Sequence, residues 1–539
     1  MTTRRQFLQT LAALPPALAL PCAWSASADA ARLALVIGNG AYRDAPLANP
    51  LNDARAMAEL IGQAGFTVST LQDAGRADML AAIERFGAAA RRAETRQVIF
   101  YYAGHGAQLD WRNYLLPVDA DVNNADELKQ RCVDLGMLLG ELGAAKDKTF
   151  VVILDACRDN PFGKAYQPQQ KGLSQFDAPA GSLLAYATAP GQVAFDGSGK
   201  NGLYTENLLR ELARRGTRIE DALKRVRLNV RLASHGVQIP WETTSLETDV
   251  YLFANGRQKL SDAELEQQLQ ADLAAWGAIK ASQKTDDWVN YLRNFPNGRF
   301  AEIAQQRLAR LLAEAERPAT PAAAAPAAAT PALDIKAGET APQLLPPSPN
   351  PYSAGRYPLG RHYTAGDAAT YRQSDLLTGI QERVYTLHVS RVAERADRVV
   401  VNRGALVWDL MGNAIKIGDQ EFDAPRQFAP AELQLGKKWT AAFVTTRKGA
   451  PESVHFDVQI TRREKISVPA GTFDAFKVEA FGWNKTAGAK LEVTLWLVPG
   501  VNFPIKSESV MRARSGQLKN TERHELLALR QQVFERLPQ

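Results

Sequence analysis

Five short apolar runs separated by helical stretches constrain the first half of this chain more than any other feature. They are LALVIGN (33–39), FTVSTLQ (66–72), QVIFYYAG (97–104), FVVILDAC (150–157) and SLLAYAT (182–188). Each has the length and the β-branched or aromatic content of a strand buried in a sheet. Between the first three, NDARAMAELIGQAG and ADMLAAIERFGAAARRA repeat their apolar residues at helical spacing, and the former closes on a glycine as helices often do. Strand and helix in alternation is the βαβ pattern, so residues 32–256 are expected to form an α/β fold whose mainly parallel sheet is flanked by helices.

The rest of the 539 residues is too long to join that core. Residues 260–316 read as a small helical unit. SDAE at 261–264 is a capping box, followed by Leu265, Leu269, Leu273 and Trp276; a second stretch carries Trp288 and Leu292 and breaks at FPNG, and a third carries Phe300, Ile303 and Leu308. Residues 317–350 are rich in Pro and Ala and are expected to be a linker without a core. From 351 to 530 the period becomes two, with Leu491, Val493, Leu495 and Leu497 on one side of a strand and Val454, Phe456 and Val458 likewise, which predicts an antiparallel β domain. No motif in that domain names its role; an envelope ligand is one reading and a spacer another.

The first thirty residues, MTTRRQFLQTLAALPPALALPCAWSASADA, read as a leader: a basic start, an apolar stretch too short and too Pro-broken to span a bilayer, and small residues before a cut after Ala28 or Ala30. Arg4 and Arg5 resemble the twin-arginine export signal of bacteria, which implies a periplasmic or secreted protein. Pro21 makes Cys22 a poor lipid-attachment site. No other segment approaches about 18 consecutive apolar residues, so no membrane span is expected. The net charge is +6, or +4 without the two leader arginines, and no Lys/Arg stripe interleaves with aromatics, which excludes nucleic acid as a partner. Once the leader is removed, Cys132 and Cys157 are the cysteines left, either paired as a disulfide or separate thiols.

Two residues carry the chemistry. The third strand runs into AGHGAQ, which sets His105 just beyond its carboxyl end between Gly104 and Gly106, and the fourth runs into Cys157. In open parallel sheets the functional crevice lies outside the carboxyl ends of the strands. If the two strands are neighbours, His105 faces Cys157 there. A thiol of pKa about 8.5 is mostly protonated at neutral pH, and a histidine in reach takes its proton and later returns it to a leaving amine. The N–H groups of Gly106 and Cys157 are candidates to hold the oxyanion. The other histidines, His235, His362, His388, His455 and His524, have no metal-ligand spacing.

LALVIGN, NPLNDARAMAELIGQAGF, VIFYYAGHG, YLLPVDA and VVILDACRDNPF together resemble the caspase/metacaspase family of cysteine peptidases, in particular bacterial caspase-like proteins. The 52 residues from His105 to Cys157 match the family's spacing of about 50. The resemblance implies a caspase-like fold, protein or peptide substrates, a His105/Cys157 dyad and an oxyanion hole at Gly106 and Cys157. Asp53 in LNDAR and Asp155 in LDAC match the acidic positions with which metacaspase-like members bind a P1 Arg or Lys. For Asp53 a plain role at a helix N-terminus is the competing reading. Ala103 departs from the serine often found before GHG. No resident cofactor is implied, although some metacaspases respond to calcium through acids in the region of Asp119, Asp121 and Asp134; Lys164 stands where a further acid belongs. Arg158, Lys164 and Lys171 are candidate self-cleavage sites. The competing function is a non-catalytic envelope scaffold that keeps the fold and works through its β domain, a role that needs neither His105 nor Cys157.

Overall fold

A computed structural model describes residues 32–145, 147–156, 162, 166–167, 172–189, 199–253, 262–315, 332–447 and 450–534. The leader, Ser261, Cys157, Arg158, Lys164 and Lys171 lie outside the described residues.

The first unit is built from β1 (Arg32–Gly38), α1 (Pro50–Gln63), β2 (Thr67–Gln72), α2 (Arg76–Ala90), β3 (Gln97–Ala103), β4 (Gly106–Leu109), β5 (Arg112–Leu115), α3 (Ala125–Arg131), β6 (Val133–Asp134), α4 (Leu135–Gly143), β7 (Thr149–Asp155), β8 (Ser182–Tyr186), α5 (Leu203–Leu212), α6 (Ile219–Ala233) and β9 (Trp241–Thr244). Its main sheet has the order β2-β1-β3-β7-β8-β9. The first five strands are parallel to their neighbours and β9 is antiparallel to β8. The inner strands are apolar almost throughout because helices cover both faces. Leu35, Val36, Ile37, Phe100 and Val152 are at most 1% exposed, and burying each such side chain is worth about 1.5–3 kcal/mol. β2 at the edge is half-exposed and correspondingly polar. The five strands read from the sequence are therefore present in a mainly parallel sheet. β9 and the small β4-β5-β6 sheet are additions that two- to four-residue segments are too short to announce.

Three helices follow, α7 (Asp262–Ile279), α8 (Thr285–Asn294) and α9 (Ala301–Ala315). The Trp276 ring stacks on Phe300 at 4.4 Å, and the Arg307 guanidinium lies over Trp276 and Trp288. These side chains are continuous with the interior of the β domain, so the helices and that domain share one core.

The linker expected over 317–350 needs correction from 332 onward. Leu333 and Ile335 are buried and alternate with exposed Asp334 and Lys336. They form β10 (Leu333–Lys336), which pairs with residues 528–531 of the last strand. Leu344 and Leu345 are buried as well. A four-residue alternation inside a Pro/Ala-rich segment is masked by the surrounding composition.

The β domain is one long antiparallel sheet whose terminal strands, 420–421 and 438–447, approach through a bridge between Phe422 and Thr445, so that it curls nearly into a barrel. Val454, Phe456 and Val458 face its core; Leu497 is buried with them, while Leu491, Val493 and Leu495 are partly buried against it. Inside it, Asp409 accepts bonds from the Met411 and Asn413 backbone N–H groups. Burial, with nearby Asp397, lifts its carboxyl to about 7. Among the described residues no helix is long and apolar enough to cross a membrane.

Candidate active site

The register of β3 on β7 sets the geometry. Ala103 pairs with Asp155, and the Gly104 N–H reaches the Asp155 carbonyl at 3.3 Å. Positions 105 and 157 thus each come two residues after paired positions of adjacent parallel strands.

His105 is 4% exposed and fixed on several sides. Its Nε2 lies 2.8 Å from the Ala45 carbonyl oxygen. A carbonyl only accepts, so Nε2 carries the proton, and in the neutral ring Nδ1 is the basic nitrogen. The imidazole packs on the Tyr42 ring at 4.5 Å, the Tyr42 hydroxyl accepts the His105 N–H at 3.0 Å, and the His105 carbonyl accepts from the Tyr102 hydroxyl at 2.7 Å. Gly104 makes this arrangement accessible: a Cβ there would stand 2.7 Å from the hydroxyls of Tyr42 and Tyr102. Gly106 is as confined, with Leu173 Cδ2 at 2.9 Å and Ala156 Cβ at 3.3 Å from the place its own Cβ would take.

Asp53 and Asp155 are 1% and 5% exposed. Asp155 accepts from the Thr205 hydroxyl at 2.7 Å, and Thr205 is 2.6 Å from the Tyr101 hydroxyl. Asp53 sits in the first turn of α1, and its Oδ1 accepts from Asn201 Nδ2 at 2.8 Å and from the Gly202 N–H at 3.0 Å. It therefore also serves the N-terminus of α5. Both carboxylates act on Tyr101, whose hydroxyl is pushed up first by burial and then by Asp155 and Asp53.

The family profile described as the caspase domain matches residues 31–251. Those residues form a caspase domain. The human mucosa-associated lymphoid tissue lymphoma translocation protein 1 is 29% identical over 166 residues, which is 31% of this chain and 19% of that protein. Its mouse homologue is 28% identical over the same shares. The match thus spans about a fifth of the curated relatives' length.

Within the caspase domain, Leu173–Asp177 lies against the site and is held from both sides. Asn113, fully buried, bonds the Ser174 backbone twice, accepting its N–H at 2.6 Å and donating to its carbonyl at 2.8 Å. From the β domain, Asn350 Nδ2 donates to the Gln175 carbonyl at 2.6 Å, Ser353 and the Ala354 N–H donate to the Asp177 carboxylate, and Tyr352 stacks on Phe176 at 4.9 Å.

The acids considered for calcium do not converge. Asp119 accepts the Arg76 N–H at the start of α2, Asp121 pairs with Arg43, and Asp134 pairs with Arg112 while capping α4. Among the described residues no group of three His, Cys, Asp or Glu is placed to hold a metal. Cys132 is a free, buried thiol pushed up by burial to about 12, which makes it unreactive at neutral pH.

Sequence reasoning missed Ala45, Tyr42, Thr205 and Asn113. A backbone carbonyl leaves no mark in a sequence. The polar side chains reveal their roles only once distant segments meet.

Proposed function

We propose that the chain is an exported cysteine endopeptidase that cleaves after Arg or Lys. The observation that carries this reading is the Ala103–Asp155 register, together with an imidazole held by Ala45 so that Nδ1 is its base. In the proposed reaction Nδ1 of His105 takes the Cys157 thiol proton and the thiolate attacks the scissile carbonyl. The Gly106 and Cys157 N–H groups stabilise the oxyanion, each worth about 3 kcal/mol. His105 then protonates the leaving amine, and water, deprotonated by the same ring, hydrolyses the thioester.

The buried carboxyls of Asp53 and Asp155 support the basic P1 preference. A guanidinium leaving water costs several kcal/mol unless a carboxylate meets it, and the fork of Arg suits one better than the point charge of Lys. The leader sequence with Arg4 and Arg5 supports export to the periplasm or beyond.

The test is peptide-library profiling of the mature protein beside Cys157→Ala and His105→Ala. Hydrolysis after Arg, less after Lys, and none in either variant is expected. Full activity in a variant refutes the dyad, whereas a preference for acidic or apolar P1 removes the pocket assignment alone.

A further inference from the structure

One end of the β domain carries a surface that the peptidase reading leaves unused. The sheet order sets the hairpin turns at 375–380, 484–489 and 513–517 side by side at this end. Among the described residues eight large apolar side chains are exposed, and five of them are here: Leu377 at 69%, Ile380 at 67%, Val384, Phe481 and Trp483. Exposed apolar residues scattered singly need no explanation, but their concentration at one end does. Leu376 to Gln381 contains no charge. The turn itself is fixed, with Asp375 accepting the N–H groups of Leu377 and Thr378 and its carbonyl accepting that of Gly379, whose φ is +70°. Leu377 and Ile380 are thus presented on a shaped tip.

The same end is basic. Lys485, Lys490, Arg512, Arg514 and Lys519 are all exposed, and none forms an ion pair among the described residues. Trp483 pairs with Lys490 across the strands and Lys490 with Arg512, which makes a row of indole, ammonium and guanidinium along the rim. The nearest acids are engaged: Asp375 in its own turn, Glu382 with Gln373 and Glu452 with Asn484. Glu492, one row inward beside Phe481, is the exception.

We propose that this end docks the protein on a bilayer of anionic lipid, Leu377 and Ile380 entering the boundary between headgroups and acyl chains while the five cations meet lipid phosphates. Cations attracted to an anionic surface and a tryptophan at headgroup level are the physical pattern of peripheral attachment. A soluble polyanion would satisfy the cations but gives no reason for uncharged apolar tips. The inference stands independently of any peptidase activity.

The test is co-sedimentation of the mature protein with vesicles of mixed phosphatidylglycerol and phosphatidylcholine, against phosphatidylcholine alone. Binding to the mixed vesicles, weakened by salt, is expected. Lys490→Glu with Arg512→Glu should weaken it at least about 25-fold, at roughly fivefold for each cation lost, and Leu377→Asp with Ile380→Asp about tenfold. All four side chains are exposed, so an unchanged thermal midpoint verifies folding; Lys490→Gln alone, with a shallower salt dependence, serves if a double variant misfolds. Equal binding to both vesicle types, no binding, or indifference to the tip variant would each overturn the proposal. Displacement by heparin together with an inert tip variant would reassign the surface to a soluble polyanion.

Discussion

The hydroxyl of Tyr42 does two things: it accepts the His105 N–H and donates towards the Leu116 carbonyl. Tyr42→Phe keeps the ring beneath the imidazole but strands a buried N–H, which costs about 1–3 kcal/mol. Urea unfolding should register that loss, and kcat should fall with it. A second residue governs stability at a distance from the site. Asp409 titrates near 7 in the folded protein and near 4 when unfolded, so between those values the folded state binds the extra proton. Its contribution is complete below about pH 4 and is lost as pH rises through about 7. Asp409→Asn should flatten the fall of the thermal midpoint over that window; an unchanged slope would count against the assignment. At this scale the sequence marked His105 as a candidate because a histidine between glycines at a strand end is a local pattern. It could not disclose Asp409, whose carboxyl is perturbed by burial and by Asp397 from a separate turn.

Among the elements, Leu173–Asp177 couples most directly to the chemistry, since Leu173 rests against Gly106. Asn350 grips the segment from outside the caspase domain. Asn350→Ala should therefore lower kcat more than it changes KM, and Asn113→Ala should do so more strongly while also costing about 1–3 kcal/mol of stability. Equal KM and kcat for wild type and Asn350→Ala would show that the β domain is a passive neighbour. The inner strands were legible because each is buried on both faces and continuously apolar. β9 and β10 were not, because each derives its place from a partner rather than from its own pattern: β8 for one, and for the other a strand almost 200 residues further on.

At the scale of the molecule, α7–α9 belong with the β domain in one core, yet α6 holds them to the caspase domain through Lys224 and Asn297. A protease site engineered within 317–331 should therefore give two fragments that co-elute in native buffer and separate only in denaturant; separation in native buffer would contradict the shared core. The sequence signalled three units from their periodicities and could not show that they interlock, because the apolar, ring and polar contacts that join them form only between residues distant in the chain. Contacts from the β domain converge on β9 and the residues just after it. Gln434 donates to the Glu242 carbonyl, Lys438 to the Leu246 carbonyl, and Arg356 lies 4.1 Å over the Trp241 ring. The outer edge of a sheet is a template on which another chain can add its own strand. Here that template is already covered from within the same polypeptide. Growth of the sheet past β9 into a dimer or an aggregate would first require the whole β domain to lift away, so the protein carries in its own tail the guard against self-assembly along that edge.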